Sequence, residues 1–217
     1  MFLSETEYTQ VINLIDKKVM PGPLLSELKA WALNSLQITM YDYICDTTVN
    51  GLTRLKIVLW DYEAERAMMD GANLNPEYQK MFAKVFSALA RKYDLHPGYH
   101  NEKDIFVCYD TIKDEVQKNI LKKVRKQIEG LKDSGPWASD VWKIEIIFGG
   151  IHIFYETDAQ IVQHEEDGIS KALREECTRI LQSQDSYNAF EKGALCTFTS
   201  KQTLDEKYAG SMFYYTR

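Results

Sequence analysis

Apolar positions along the chain change their period several times, and each change marks an element. From Thr111 to Asp133, in TIKDEVQKNILKKVRKQIEGLKD, Ile112, Val116, Ile120, Val124 and Ile128 recur every four residues, with Leu121 and Leu131 widening the stripe. This is the spacing of an amphipathic helix. Thr111 offers an N-cap, Asp114 puts an acid in the first turn, and Lys and Arg gather towards the far end, as the helix dipole favours. Gly135-Pro136 stops the helix. At 1.5 Å per residue the rod would run roughly 30 Å.

Upstream, Ser4 and Glu7 form a capping box before Val11, Ile12, Leu14 and Ile15, which predicts a helix over about 5–19. Pro21-Gly22-Pro23 breaks it, and a second helix follows with Leu24, Leu25, Leu28, Trp31, Ala32 and Leu36. From Leu36 the period shortens to two. LQITMYDYICD and TRLKIVLWDYE, separated by Val49-Asn50-Gly51, read as an antiparallel hairpin. A third helix is expected over 76–92, then a turn-rich loop and the strand IFVCYD at 105–110.

Beyond Gly135 the order recurs. VWKIEIIF (141–148) and IHIFYETD (151–158) predict two strands joined at Gly149-Gly150. A helix over 168–182, the strand ALCTFTS, a short helix KQTLDEKY and a last strand in GSMFYYTR complete the pattern. KIVLWDYEA (56–64) lies over IHIFYETDA (151–159), and DIFVCYDT (104–111) over GALCTFTS (193–200). The fold class expected is α+β, a tandem duplication of a helix–hairpin–helix–strand–helix unit with antiparallel sheets packed by helices. The halves fall at 1–111 and 112–217, as two domains or one merged domain.

Composition narrows the function. The 217 residues are 45% hydrophobic, enough for a proper core. The net charge of −6 is spread over both halves without a basic patch, which disfavours nucleic acid as a partner. MFLSETEYTQ lacks the basic and apolar regions of a signal peptide, and no stretch approaches the ~20 apolar residues of a membrane span. Cys45, Cys108, Cys177 and Cys196 are widely spaced in apolar contexts and read as small buried hydrophobes in a reducing cytosol. The expectation is a cytoplasmic protein with neither membrane nor nucleic-acid partner.

Two surfaces stand out. Asp61 and Glu63 follow one strand and Glu156 and Asp158 another; residues two apart on a strand share a side, so each pair could hold a metal, work as acid and base, or steer a basic partner. Solvated strand ends explain the same pattern. Tyr41, Tyr43, Trp60 and Tyr62 make both faces of the first hairpin partly apolar. Either helices cover both faces, or one face carries an aromatic interface. His96, His100, His152 and His164 show no metal-ligand spacing and read as solvated or singly bonded, and no Cys-x-x-Cys, phosphate loop or nucleophile elbow is present. Lys118, Lys122, Lys123, Arg125 and Lys126 read as the wet face of their helix.

From the central helix onward the chain resembles bacterial toxin-immunity proteins of the YezG type. The likeness lies in a basic amphipathic helix, Trp137 with VWKIEIIF, the partner strand IHIFYETD, an amphipathic helix and the terminal MFYYTR. It covers about half the chain and rests on element order, and the long helix after Tyr109 departs from it. The resemblance implies a small acidic cytosolic protein that neutralises a cognate toxin by binding it; neither cofactor nor metal is expected. The function expected is a non-enzymatic, intracellular protein-binding module using Asp61, Glu63, Glu156, Asp158, Tyr41, Tyr43, Trp60 and Tyr62. The alternative is an enzyme or a small-ligand or metal sensor with its site between the repeats.

Overall fold

The computed structural model describes residues 3–48 and 51–217, so the expected turn at Val49-Asn50 lies outside the described residues. The chain divides into two compact units, Met1–Glu115 and Val116–Arg217.

In the first unit, α1 (Glu5–Ile15) starts at the expected capping box: Glu7 accepts the Ser4 amide at 2.6 Å, and Ser4 Oγ accepts the Glu7 amide. Pro23 opens α2 (Pro23–Leu36), which ends where Gln37 turns left-handed. The hairpin is β1 (Asp42–Thr47) and β2 (Thr53–Leu59), antiparallel. A short α3 (Tyr62–Arg66) and a small ribbon of β3 (Met69–Asp70) and β4 (Asn73–Leu74) follow. Asn75 then caps α4 (Pro76–Lys92), whose bounds match those expected. β5 (Ile105–Thr111) leads into α5 (Lys113–Glu129).

The sheet order is β1-β2-β5, with β5 parallel to β2. The expected antiparallel sheet is therefore mixed, as a strand returning through a helix allows. The face carrying Leu55, Ile57, Val107 and Tyr109 packs on α2 and α4. Trp31 meets Phe82 edge-on at 5.0 Å, and Tyr43 meets Phe86 at 5.3 Å. Phe82 and Phe86 are fully buried, worth roughly 1.5–3 kcal/mol each. α1 lies on the opposite face, where Gln10 bonds Asp42 and Glu7 bonds Lys56.

In the second unit α5 buries Val116, Ile120, Leu121, Val124 and Ile128, while the five basic residues of its polar side are exposed. The helix begins one residue later than expected, because Thr111 closes β5 instead of capping. Gly135 (φ +80°) lets the chain turn under Trp137, whose indole donates to Leu131 O at 2.8 Å. β6 (Val141–Ile147) and β7 (Gly150–Tyr155) form the hairpin. Its turn residues are Phe148 and Gly149, both at positive φ, and Gly150 already belongs to β7. α6 (Asp158–Glu166), α7 (Ile169–Gln182), β8 (Cys196–Ser200), α8 (Lys201–Tyr208) and α9 (Met212–Tyr215) follow. The last segment was expected as a strand. Ser211 accepts the Tyr214 amide and turns it into a helix.

The second sheet runs β6-β7-β8, again antiparallel then parallel. Leu59 pairs with Thr111 in one unit and Tyr155 with Ser200 in the other. The amide of Lys113 donates to Trp60 O, as that of Gln202 does to Glu156 O. These registers align residues 55–63, not 56–64, with 151–159. Trp60 thus matches Glu156, and Asp61 matches Thr157. The acids of the two units do not correspond.

Candidate functional site

The expected strand-end carboxylates stand elsewhere than on strands. β2 ends at Leu59, and Asp61 is the N-cap of α3, accepting the Ala64 amide at 3.1 Å with Lys113 Nζ 3.8 Å away. Glu63 is exposed in the first turn of the same helix, where acids complement the dipole. β7 ends at Tyr155 and leaves Glu156 exposed in the connection. Asp158 opens α6 and accepts hydrogen bonds from Ser200 and from Thr203 (2.7 Å), which hold its carboxyl below the usual range. Its role there is to tie the start of α6 to the start of α8. Neither pair projects from one side of a strand. Aspartate and threonine are strong N-cap residues, and capping decides both places.

The aromatic residues divide. Tyr41 and Trp60 face each other at 5.8 Å, both half-buried, with Lys29 Nζ 6.0 Å over the tyrosine ring. Burial, with the Asp61 charge nearby, pushes the Tyr41 phenol up. Tyr62 is 66% exposed on the first residue of α3. Tyr41, Trp60 and Asp61 stand together on a ledge where β2 meets α3, and the exposed Tyr62 and Glu63 follow in the first turn of that helix. Tyr43 points the other way, into the core side, and burial raises its phenol to about 12.

Periodicity did not disclose a buried ionic cluster on the outer face of the first sheet. Lys56, only 3% exposed in the middle of β2, is 2.9 Å from Glu7 of α1 and 3.7 Å from Asp110 of β5. Burial works against the Glu7 charge, but the Ser4 amide and Lys56 outweigh it and hold the carboxyl low. Burial pushes Asp110 and Asp42 up. Asp110 keeps one buried carboxylate oxygen without a hydrogen bond. The signal was available: a lysine inside KIVLW contradicts its neighbours. In the second unit the matching position is His152, bonded through Nδ1 to Tyr215 of α9 at 2.8 Å.

His164 departs from the expected solvated or singly bonded ring. It is 1% exposed, and its two nitrogens reach Asp140 and Asp167, each at 3.0 Å. Cys108 and Cys177 are buried and Cys45 and Cys196 partly so, all four free. Among the described residues no group of three or more His, Cys, Asp or Glu side chains could hold a metal ion, and no helix is long and apolar enough to cross a membrane.

A cleft of about 830 Å³ in the first unit opens along β1. Its walls are mostly apolar, with Leu14 of α1 on one side and Leu24 and Leu25 of α2 on the other. Fold and surface together define a class, an α+β protein of two mixed three-stranded sheets backed by helices. No protein-family model, curated protein or solved structure matches the chain.

Proposed function

We propose that this chain is a non-enzymatic, intracellular protein-binding module of the immunity type, which occludes a basic toxin domain. One observation carries the proposal: the ledge of Tyr41, Trp60 and Asp61, followed by Tyr62 and Glu63 in the first turn of α3, combines half-exposed and exposed rings with carboxylates. Aromatic anchors are the side chains that dominate interface energies, and acids beside them would steer a cationic partner. The strand order shared by the two units supports reading them as copies of one module. Glu156 and Asp158 do not continue the ledge's pattern in the second unit, so the proposal rests on the first.

Capture of the product of the adjacent gene by the purified chain tests it. Tyr62→Ala and Trp60→Ala should each weaken that binding by about 30-fold, or about 2 kcal/mol, in a titration. An adjacent product that is neither captured nor inhibited removes the proposal.

A further inference from the structure

The cleft in the first unit has an unusual floor. Asp42, Tyr43, Ile44 and Cys45, four consecutive residues of β1, all line it. Successive side chains of a strand point to opposite faces, so one cavity touching all four looks at the strand edge-on. β1 is an outer strand of the sheet, with β2 beside it on one side. On the side of Asp42 and Ile44 the wall is α1, from Gln10 to Leu14; on the side of Tyr43 and Cys45 it is α2. The helices that cover the two sheet faces thus overhang the edge and leave a slot between them. Val19 and Met20, 53% and 78% exposed, stand at its rim.

The outer edge of β1 between two apolar walls, with the Tyr43 amide already held by Asp42 Oδ1 at 2.8 Å, matches one kind of ligand, an extended polypeptide lying about 4.8 Å from β1 as a further strand. The lining carries no cation, and its one carboxylate, Asp42, is buried and bonded to Gln10 and the Tyr43 amide, so an acidic segment would find no counter-charge there. We propose that β1 receives an extended, apolar, uncharged-to-basic segment of a partner protein by strand addition. The proposal rests on the chain being a protein-binding module and names how it grips. It also gives Tyr43 a part in recognition, on a different surface from the ledge.

Random dodecapeptides displayed on phage, selected against the full chain, test the proposal. The expected winners alternate apolar residues, lack central proline and are poor in Asp and Glu. Bound to the chain, a synthetic winner should slow amide exchange in residues 42–47. Asn13→Trp, which narrows the slot from the wall of α1, should weaken the peptide at least about tenfold. Met20→Lys at the exposed rim should weaken it without disturbing the fold. No enrichment, exchange protection confined to other segments, or equal affinity for the wild type and both variants would overturn strand addition. A concentration-dependent dimer abolished by Asn13→Trp would overturn it too, assigning the slot to a second copy. The adjacent gene's product separates the two proposals. Captured equally by wild type and Asn13→Trp, it leaves the binding module standing and removes the slot. Selected peptides in the slot without capture of that product do the reverse.

Discussion

Lys56 holds its ammonium out of water between Glu7 and Asp110, and what it would cost to remove shows how the first sheet is closed. Taking away one partner of a buried ionic cluster leaves the others uncompensated, so Lys56→Met should cost about 3–5 kcal/mol in urea unfolding. Adding Glu7→Gln and Asp110→Asn to it should recover most of that loss, since an uncharged cluster no longer needs the cation. Asp110 also makes a pH prediction. Burial raises its folded value, so its contribution is complete below about pH 3.9 and is lost as the pH climbs through that higher value. Asp110→Asn should therefore gain on the wild type between about pH 4 and 7. Urea midpoints at both ends check the sign, and a variant that falls behind towards neutrality contradicts it. Lys56 among apolar neighbours was a visible signal, but its partners were not, because hydropathy patterns show which face a residue takes but not what a distant helix brings to it.

Individual elements were more legible, and the misses have local causes. Long periodic helices such as α4 declared themselves through spacing and caps. α3 and α6 were hidden because apolar strands run straight into them; the capping box of Thr157 and Gln160 was the missed clue. The turn between β6 and β7 sets Phe148 at φ +49° with its ring 87% exposed. Such a turn favours Asn-Gly, so Phe148→Asn should stabilise the second unit by about 1 kcal/mol, read from denaturant midpoints. Gly135→Ala should act oppositely. A Cβ there would stand 2.9 Å from the Trp137 ring and at a left-handed backbone, so a loss of about 2 kcal/mol is expected in the same assay.

At the scale of the whole molecule, the α+β class and the two hairpins could be read from the sequence, but the parallel third strand and the register could not. Pairing β2 with β5 is a contact far along the chain, and a slip of one residue changes which side chains correspond. That slip made the four acids look like a recurring motif. The topology predicts a hierarchy of hydrogen exchange: the central strands β2 and β7 should be the slowest in their units, and β1, on an edge, faster than β2. Exchange followed by mass spectrometry checks this, and a β1 slower than β2 would contradict it.

Lys56 and His152 occupy the same place in their sheets, yet their covers lie at opposite ends of the order in which a ribosome makes the chain. Glu7 is made before the sheet it will close over, whereas Tyr215 is made after β8. During translation the first helix must wait for its platform. The second platform must wait for its roof, leaving Phe154 open to water and to chaperones in the interval.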